Sequence, residues 1–275
     1  MRVLVIGKAK TGTTALVHLI KHAMAPCGLV MEPKSILEFG RESQEKSGNE
    51  AIKIIYEHFI DRQRHLNAIV HGEFGFPVDK VVFITRDVRD EMISRLMYFA
   101  KPMRNQGLPK DSPEEKWAQW IELLEEKEQK PQEISFKCLC DRFKAIFDVD
   151  VWSNITRMQE NVRYENFRNK AVARHKIVVA YEDMITGQMD ELESYLGVTL
   201  PSDMSSVNLG SFGYTKRSGT AGNWRTFFTE EDVEILRPHI GAKLDDARYQ
   251  DWALNPQSGL NPDDYSRYVA RLALG

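Results

Sequence analysis

Apolar residues recur along the chain with two periodicities, and their alternation predicts the fold class. Arg2–Ile6 is a short apolar and β-branched run that ends at Gly7, as expected of a buried strand. From Thr13 to Met24 the apolar side chains fall on one face of a helix. Val81–Thr85 and Lys176–Ala180 have strand length, and a helical pattern follows each of them. Strands that alternate with helices predict an α/β fold with a central parallel sheet flanked by helices.

Further patterns complete the predicted order of elements. Residues 51–66 show a helical spacing of apolar side chains, and Ala68–His71 is an apolar run of strand length. Lys101–Pro113 holds three prolines and a glycine among polar residues, which is typical of a loop. We therefore predict a single domain over residues 1–275, with a helical insert at about 101–170.

The composition narrows the classes of partner and compartment. With 42% hydrophobic and 28% charged residues the chain is globular, and its net charge of −3 provides no general attraction to nucleic acid. No run approaches the ~18 apolar residues of a membrane span, and the first residues show no signal-peptide pattern. Cys27, Cys138 and Cys140 are too few for a disulfide framework. We expect a cytoplasmic protein that binds any anionic ligand through a local cluster of donors.

Residues 8–14, Lys-Ala-Lys-Thr-Gly-Thr-Thr, lie between the first predicted strand and the first predicted helix. A loop at this place directs backbone N–H groups and the positive end of the helix dipole toward one point. Gly12 allows close approach of an anion, Lys10 adds a full charge, and three threonines add hydroxyl donors. A simple helix cap is the alternative, but a cap needs only one hydroxyl. The motif therefore predicts an oxyanion site.

The loop of nucleotide triphosphatases, GxxxxGK[ST], is the nearest rival interpretation. Gly7 and Gly12 have its spacing, but Thr13 stands where its lysine belongs, and the lysine lies earlier, at Lys10. Asp87 follows a suitable strand for a magnesium ligand, but arginines flank it and would repel a metal ion. The pattern disfavours this rival, and a P-loop nucleotide kinase is kept as an alternative function.

Four segments resemble motifs of one family, the sulfotransferases that use 3′-phosphoadenosine 5′-phosphosulfate (PAPS). Residues 10–14 resemble its 5′-phosphosulfate loop, and the strand that ends in Arg86, with Ser94 eight residues beyond, resembles its 3′-phosphate motif. Residues 217–229 are similar to its C-terminal Arg-Lys-Gly-x-x-Gly-Asp-Trp-Lys stretch, and residues 181–183 are similar to a Tyr-Glu-Asp segment whose tyrosine lies near the adenine. The donor-binding residues that the resemblance implies are Lys10, Thr11, Gly12, Thr13, Thr14, Arg86, Ser94, Tyr181, Arg217, Ser218 and Gly219.

The resemblance implies a sulfotransferase that moves a sulfuryl group from PAPS to a hydroxyl by in-line displacement without a metal, leaving 3′-phosphoadenosine 5′-phosphate (PAP). Lys10 would stabilise the charge that grows on the departing phosphate oxygen. Two positions depart from the family pattern. Ser218 replaces a lysine, and Ala15 replaces an aromatic residue that often stacks on adenine, so the sequence leaves open what holds the adenine.

A general base must take the proton of the acceptor, and two candidates lie in His71-Gly-Glu73. We prefer Glu73, with His71 as the alternative. The acceptor is expected to be a small molecule or a glycan with a hydroxyl, and the oligomeric state is left open. Five aromatic residues of the insert either line an acceptor pocket or form helix core: Trp117, Trp120, Phe136, Phe143 and Trp152. A non-catalytic protein that binds PAP or another nucleotide is a further alternative.

Overall fold

A computed structural model of the chain describes residues 1–44, 48–73, 77–105, 113–156, 159–171, 176–201, 207–241, 247–257 and 259–274. The chain divides into two compact units. The first unit comprises residues 1–86 and 159–213, and the second comprises residues 87–158 and 214–275. This division differs from the boundaries of the predicted insert, and the prediction of a single domain stays a prediction.

The elements follow one another along both units. The strands are β1 (Arg2–Gly7), β2 (Cys27–Met31), β3 (Asn49–Ile55), β4 (Lys80–Thr85) and β5 (Lys176–Ala180). The helices are α1 (Thr13–Ala23), α2 (Ile36–Gln44), α3 (Gln63–Val70), α4 (Val88–Tyr98), α5 (Ala100–Asn105), α6 (Pro113–Gln129), α7 (Phe136–Phe147), α8 (Val151–Thr156), α9 (Gln159–Lys170), α10 (Tyr181–Ile185), α11 (Asp190–Leu196), α12 (Trp224–Phe227), α13 (Glu230–Ile240) and α14 (Ser266–Ala273).

The first unit is built on a five-stranded sheet in the order β2-β3-β1-β4-β5, and every neighbouring pair is parallel. Alternate residues of β1 point to opposite faces of the sheet. Val3 and Val5 belong to the cluster around α1, whereas Leu4 and Ile6 belong to the cluster around α3 and α9. A strand buried on both faces must be apolar throughout, which explains the unbroken run in the sequence. The predicted fold class, a parallel sheet flanked by helices, is confirmed.

Two predicted elements were wrong. Residues 51–66 are not one helix, because β3 occupies Asn49–Ile55 and a 3₁₀ turn follows at Tyr56–Phe59. Ala68–His71 is not a strand but the last turn of α3 and its C-cap. Apolar spacing cannot separate these cases, since a strand buried on both faces lacks the alternation that distinguishes it from a helix.

The elements of the second unit, where the structure describes it, are helices packed around their own apolar core. The aromatic residues Trp117, Trp120, Phe136 and Phe143 are at most 2% exposed and belong to this core, and Trp152 packs against it. Of the two predicted roles for these residues, helix core is the one that the structure supports. The predicted loop at 101–113 was wrong over its first residues, which continue α5 to Asn105, and residues 106–112 lie outside the described part.

Candidate functional site

The loop between β1 and α1 takes a shape that only a glycine permits at its end. Lys10 and Gly12 both adopt left-handed backbone conformations, with φ of 71° and 94°. Gly12 is the N-cap of α1, and a Cβ built on it would lie 2.5 Å from Cδ2 of Tyr181. A side chain at this position would displace the tyrosine ring, so the loop backbone lies directly against it. The loop therefore turns tightly into the N-terminus of α1, in the order of strand, loop and helix that the sequence predicted.

Two side chains of the loop hold its shape. Thr11 is fully buried, and its Oγ1 donates to the carbonyl oxygen of Lys8 at 2.8 Å. Lys8 is also buried, and its Nζ donates to Oδ1 of Asn161 in α9. The hydroxyl proton of Thr11 is engaged inside the loop. The backbone N–H of Thr11 also donates to the carbonyl oxygen of Lys8, at 3.4 Å. The predicted role of Thr11 as a donor ligand stays a prediction, and these two contacts do not favour it.

Thr14 is held differently, by a lysine that sequence reasoning missed. Lys53 lies in β3 and is 3% exposed, and its Nζ donates to Oγ1 of Thr14 at 2.7 Å and forms an ion pair with Glu32. Burial lowers the pKa of Lys53, and the carboxylate of Glu32 opposes that shift. Because the Thr14 hydroxyl accepts from an ammonium group, its own proton remains to donate elsewhere. A lysine within an apolar strand was the available signal.

A second missed residue, Glu57, contacts the loop directly. Its Oε1 and Oε2 accept from the backbone N–H of Ala9 at 3.0 and 3.1 Å. Glu57 lies in the 3₁₀ turn that follows β3, and β3 pairs with β1 up to the match of Gly7 with Ile55. Parallel pairing brings the carboxyl ends of the two strands to one edge of the sheet. The turn after one strand and the loop after the other therefore meet.

The two residues predicted as the base lie elsewhere in the first unit. His71 is the C-cap of α3, Glu73 N–H donates to the carbonyl oxygen of Ala68, and both side chains are exposed. The chain then returns to the sheet at Lys80, which pairs with Val3 at the amino end of β1. The loop 8–12 follows the carboxyl end of β1. Their assignment as base candidates stays a prediction, and their placement does not favour it.

Arg86 and Tyr181 stand at the carboxyl ends of β4 and β5 and contact each other. Arg86 Nη1 donates to the carbonyl oxygen of Lys10 at 3.0 Å, and its Cζ lies 4.2 Å from the centre of the Tyr181 ring. Arg86 Nε is buried and finds no hydrogen-bond acceptor among the described residues. The strand-end arginine and the Tyr-Glu-Asp tyrosine, which the sequence placed 95 positions apart, thus border the same loop of the first unit.

The remaining predicted donor residues belong to the second unit. Ser94 lies in α4 and is 3% exposed. Arg217 has its Cζ 5.2 Å from the centre of the Tyr265 ring, and its Nε and Nη2 are buried without an acceptor in the described part of the chain. Ser218 Oγ accepts from the Thr220 N–H and from Asn223 Nδ2, both at 3.3 Å. Gly219 has φ of 68°. A guanidinium group of this kind has N–H donors in the geometry that suits a phosphate.

No protein-family model matches the chain, and no curated protein matches it. One solved structure that it resembles is a sulfotransferase. That crystal structure, of mouse sulfotransferase SULT7A1 complexed with PAP, is 17% identical in sequence and has a TM-score of 0.47. The likeness covers 90% of this chain and 85% of the mouse chain.

Two features are absent from the part of the chain that the structure describes. Among them, no group of three or more His, Cys, Asp or Glu side chains is arranged to hold a metal ion. Within the same ranges, no helix has both the length and the apolar character needed to cross a bilayer. The prediction of metal-independent chemistry stays a prediction.

Proposed function

We propose that this protein is a sulfotransferase that moves the sulfuryl group of PAPS to the hydroxyl of an acceptor. One observation carries the proposal. The loop between β1 and α1 turns through left-handed Lys10 and Gly12 into a helix N-terminus, and Arg86 at the end of the neighbouring strand donates to it. This arrangement supports an anion site at the residues that resemble the family's phosphosulfate loop.

The first unit is proposed to bind the 5′-phosphosulfate. Lys10 supplies the positive charge that offsets the negative charge growing on the departing phosphate oxygen. Thr14 donates its hydroxyl proton to the same group, while its oxygen accepts from Lys53 Nζ at 2.7 Å through one of its two lone pairs. Thr13 adds a second hydroxyl from the first turn of α1. The buried Thr11 and Lys8 keep the loop rigid, so that no donor has to be reorganised when the reaction begins.

We propose Arg86 in the first unit, and Ser94 with residues 217–219 in the second unit, as residues that bind the 3′-phosphate. In the first unit the proposal rests on the buried Nε of Arg86, and in the second on the buried Nε and Nη2 of Arg217, which lack acceptors among the described residues. A guanidinium group suits a phosphate because several N–H donors share one plane. Tyr181, held against the loop by Gly12 and Arg86, is proposed to lie beside the adenine, as the resemblance implies, and the aromatic residue that is missing at Ala15 has no replacement in this assignment.

Glu57 joins Glu73 and His71 as a candidate base, and we propose it as the first choice. It is the carboxylate that the structure places on the loop, 3.0 Å from Ala9 N. In the proposed step the acceptor oxygen forms a bond to sulfur, the bond from sulfur to the phosphate oxygen breaks, and the acceptor proton passes to the carboxylate. The products are the sulfated acceptor and PAP. The carboxylate needs no metal for this role.

The donor assignment is tested by comparing nucleotides that differ only in the proposed contacts. PAP should raise the melting temperature clearly more than AMP, and at ~100 times Kd the stabilisation should be about 2.7 kcal/mol. ATP with Mg²⁺ stabilising the protein better than PAP would favour the kinase alternative instead. Equal shifts from PAP and AMP would refute the 3′-phosphate site.

Transfer itself is tested by incubating the protein with radiolabelled PAPS and a panel of alcohols that includes phenols, sugars, lipids and polyketide-type alcohols. Label moving to one acceptor class establishes the activity. Tight PAP binding with no transfer to any acceptor, and no effect of Glu57, Glu73 or His71 variants, would favour the non-catalytic alternative.

A further inference from the structure

Asp90 is a buried carboxylate that accepts hydrogen bonds from backbone groups far away in sequence. It lies in the first turn of α4 and has 0% exposure. Its Oδ2 accepts from the N–H of Gly222 at 2.6 Å, and its Oδ1 accepts from the N–H of Trp224 at 2.9 Å. A carboxylate taken out of water is costly unless fixed donors replace its hydration. Both oxygens here have such a donor, and both donors come from one turn.

That turn ends the segment 217–224, which contains the arginine, serine and glycine assigned to the 3′-phosphate. Gly219 and Gly222 both adopt left-handed conformations, with φ of 68° and 73°. Two glycines within four residues leave a backbone with many accessible conformations unless other contacts restrict it. Asn223 supplies one restriction, because its Nδ2 donates to Ser218 Oγ and to the carbonyl oxygen of Thr220. Asp90 supplies the other.

The far end of the turn is anchored in the apolar core of the second unit. Trp224 is 1% exposed, and its ring lies 5.9 Å from that of Trp252. Arg89 packs its guanidinium 3.8 Å from the Trp224 ring while its Nη2 pairs with Asp87 at 2.7 Å. Asp90 therefore joins helix α4 to the glycine-containing segment 217–224, at the end where Trp224 packs into the core.

The same helix also carries Ser94, which is one of the residues proposed to bind the 3′-phosphate. Ser94 follows Asp90 by four positions, so both side chains lie on one face of α4, one turn apart. A helix that holds the loop through Asp90 and presents Ser94 sets the distance between the two groups of phosphate ligands. Neither Gly222 nor Trp224 needs to touch the ligand for this to work.

We infer that Asp90 is a positioning residue that orders the segment 217–224 for binding a 3′-phosphate. This inference rests on the proposed function. Loss of Asp90 should weaken recognition of the 3′-phosphate and leave the remainder of the nucleotide bound as before.

The test compares Asp90→Asn with Asp232→Asn in the full chain. Asp232 is a matched control, because it also lies in the second unit, has 0% exposure and accepts from backbone N–H groups, those of Phe136, Lys137 and Thr229 at 2.8, 3.0 and 2.9 Å. Calorimetric titration gives Kd for PAP and for AMP. Asp90→Asn should raise Kd for PAP on the order of tenfold and change Kd for AMP less than about twofold. Asp232→Asn should leave the ratio of the two Kd values unchanged.

Each outcome is decisive. Wild-type protein that binds PAP and AMP equally would refute the proposed function and this inference with it. Wild-type protein that prefers PAP, with the preference kept in Asp90→Asn or lost equally in Asp232→Asn, would refute the inference alone. If Asp90→Asn does not fold, Asn223→Ala loosens the same segment from its half-exposed side. That variant should also lower the preference for PAP over AMP. An unchanged preference would overturn the inference that the order of segment 217–224 determines recognition of the 3′-phosphate.

Discussion

The two regions assigned to the nucleotide phosphates are built in opposite ways. In the first unit the loop 8–14 has its side chains engaged, with Thr11 on Lys8, Lys8 on Asn161 and Lys53 on Thr14. In the second unit the segment 217–224 carries an arginine with buried nitrogens that lack acceptors among the described residues. Under the proposed function, the first region would bind through a preorganised loop with one lysine charge, Lys10, and the second through the guanidinium group of Arg217. Reacting atoms need rigid donors, whereas a non-reacting phosphate needs affinity and specificity.

The largest effect is expected at the carboxylate beside the loop. Glu57→Gln should bind PAP normally and lower the transfer rate by about 10²–10⁴, because the amide keeps the contact with Ala9 but cannot take a proton. Single-turnover rates with an acceptor from the panel measure this. Glu73→Gln and His71→Ala are the corresponding variants of the other two candidates in the same unit. If Glu73→Gln or His71→Ala is the slow variant and Glu57→Gln is not, that residue is the base and Glu57 is not.

Lys10 tests the rigid region on the donor side. Lys10→Ala should reduce the transfer rate by roughly 10²–10³, the range for removing one donor from a developing charge. PAP affinity should fall less, because the contacts to the 3′-phosphate remain. If the variant loses PAP binding but each bound complex reacts at the normal rate, Lys10 does not stabilise the leaving group.

The next prediction concerns Arg217 in the segment 217–224, which is proposed to bind the 3′-phosphate. Arg217→Ala should raise Kd for PAP by about 10–100-fold, since a charge-assisted hydrogen bond contributes about 1.5–3 kcal/mol, and should leave AMP binding nearly unchanged. Arg267→Ala is the control, because Arg267 lies in the same unit, is 67% exposed and pairs with Asp263. Equal losses of PAP and AMP affinity would show that Arg217 supports the fold rather than the phosphate.

The close approach of Gly12 to the Tyr181 ring predicts that two glycine-to-alanine substitutions lower the unfolding free energy by different amounts. Gly12→Ala and Gly197→Ala both place a Cβ at positive φ, 94° and 70°, but only the first meets an atom, Tyr181 Cδ2 at 2.5 Å. Gly197→Ala should cost about 1 kcal/mol and Gly12→Ala about 2–4 kcal/mol. Urea unfolding at matched conditions measures both. Equal costs would mean that the ring moves away freely and does not constrain the loop.

The smallest effect concerns pH. Burial lowers the pKa of Lys53 in the folded chain, so the unfolded chain binds more protons in the window between the folded and the unfolded pKa. The unfolding free energy of the wild type should therefore rise relative to Lys53→Met as the pH increases from neutral toward about 10.5. Lys130→Met, at a 52% exposed position, is the comparison. A difference that falls with pH would contradict the buried charge.

Local patterns determined much of this protein. The run Arg2–Gly7, the glycine-containing loop and α1 form one contiguous stretch, so strand, turn and helix follow from periodicity and from the conformational freedom of Gly12. Arg86 and Tyr181 were singled out by the resemblance to family motifs, and each directly follows an apolar run. The boundaries of β3 and α3 were not, because a strand buried on both faces has no alternation to separate it from a helix.

Only the tertiary structure decided which residues distant in sequence contact the proposed phosphate-binding segments. Ala9 and Glu57 are 48 positions apart, Thr14 and Lys53 are 39, and Gly222 and Asp90 are 132. The first two contacts depend on β3 being the neighbour of β1 in the sheet, an order set by long-range packing. The third depends on where α4 lies in its own core. Spacing along the chain carries no signal for such pairs, because their energy comes from burial and from the pairing of groups that meet only after folding.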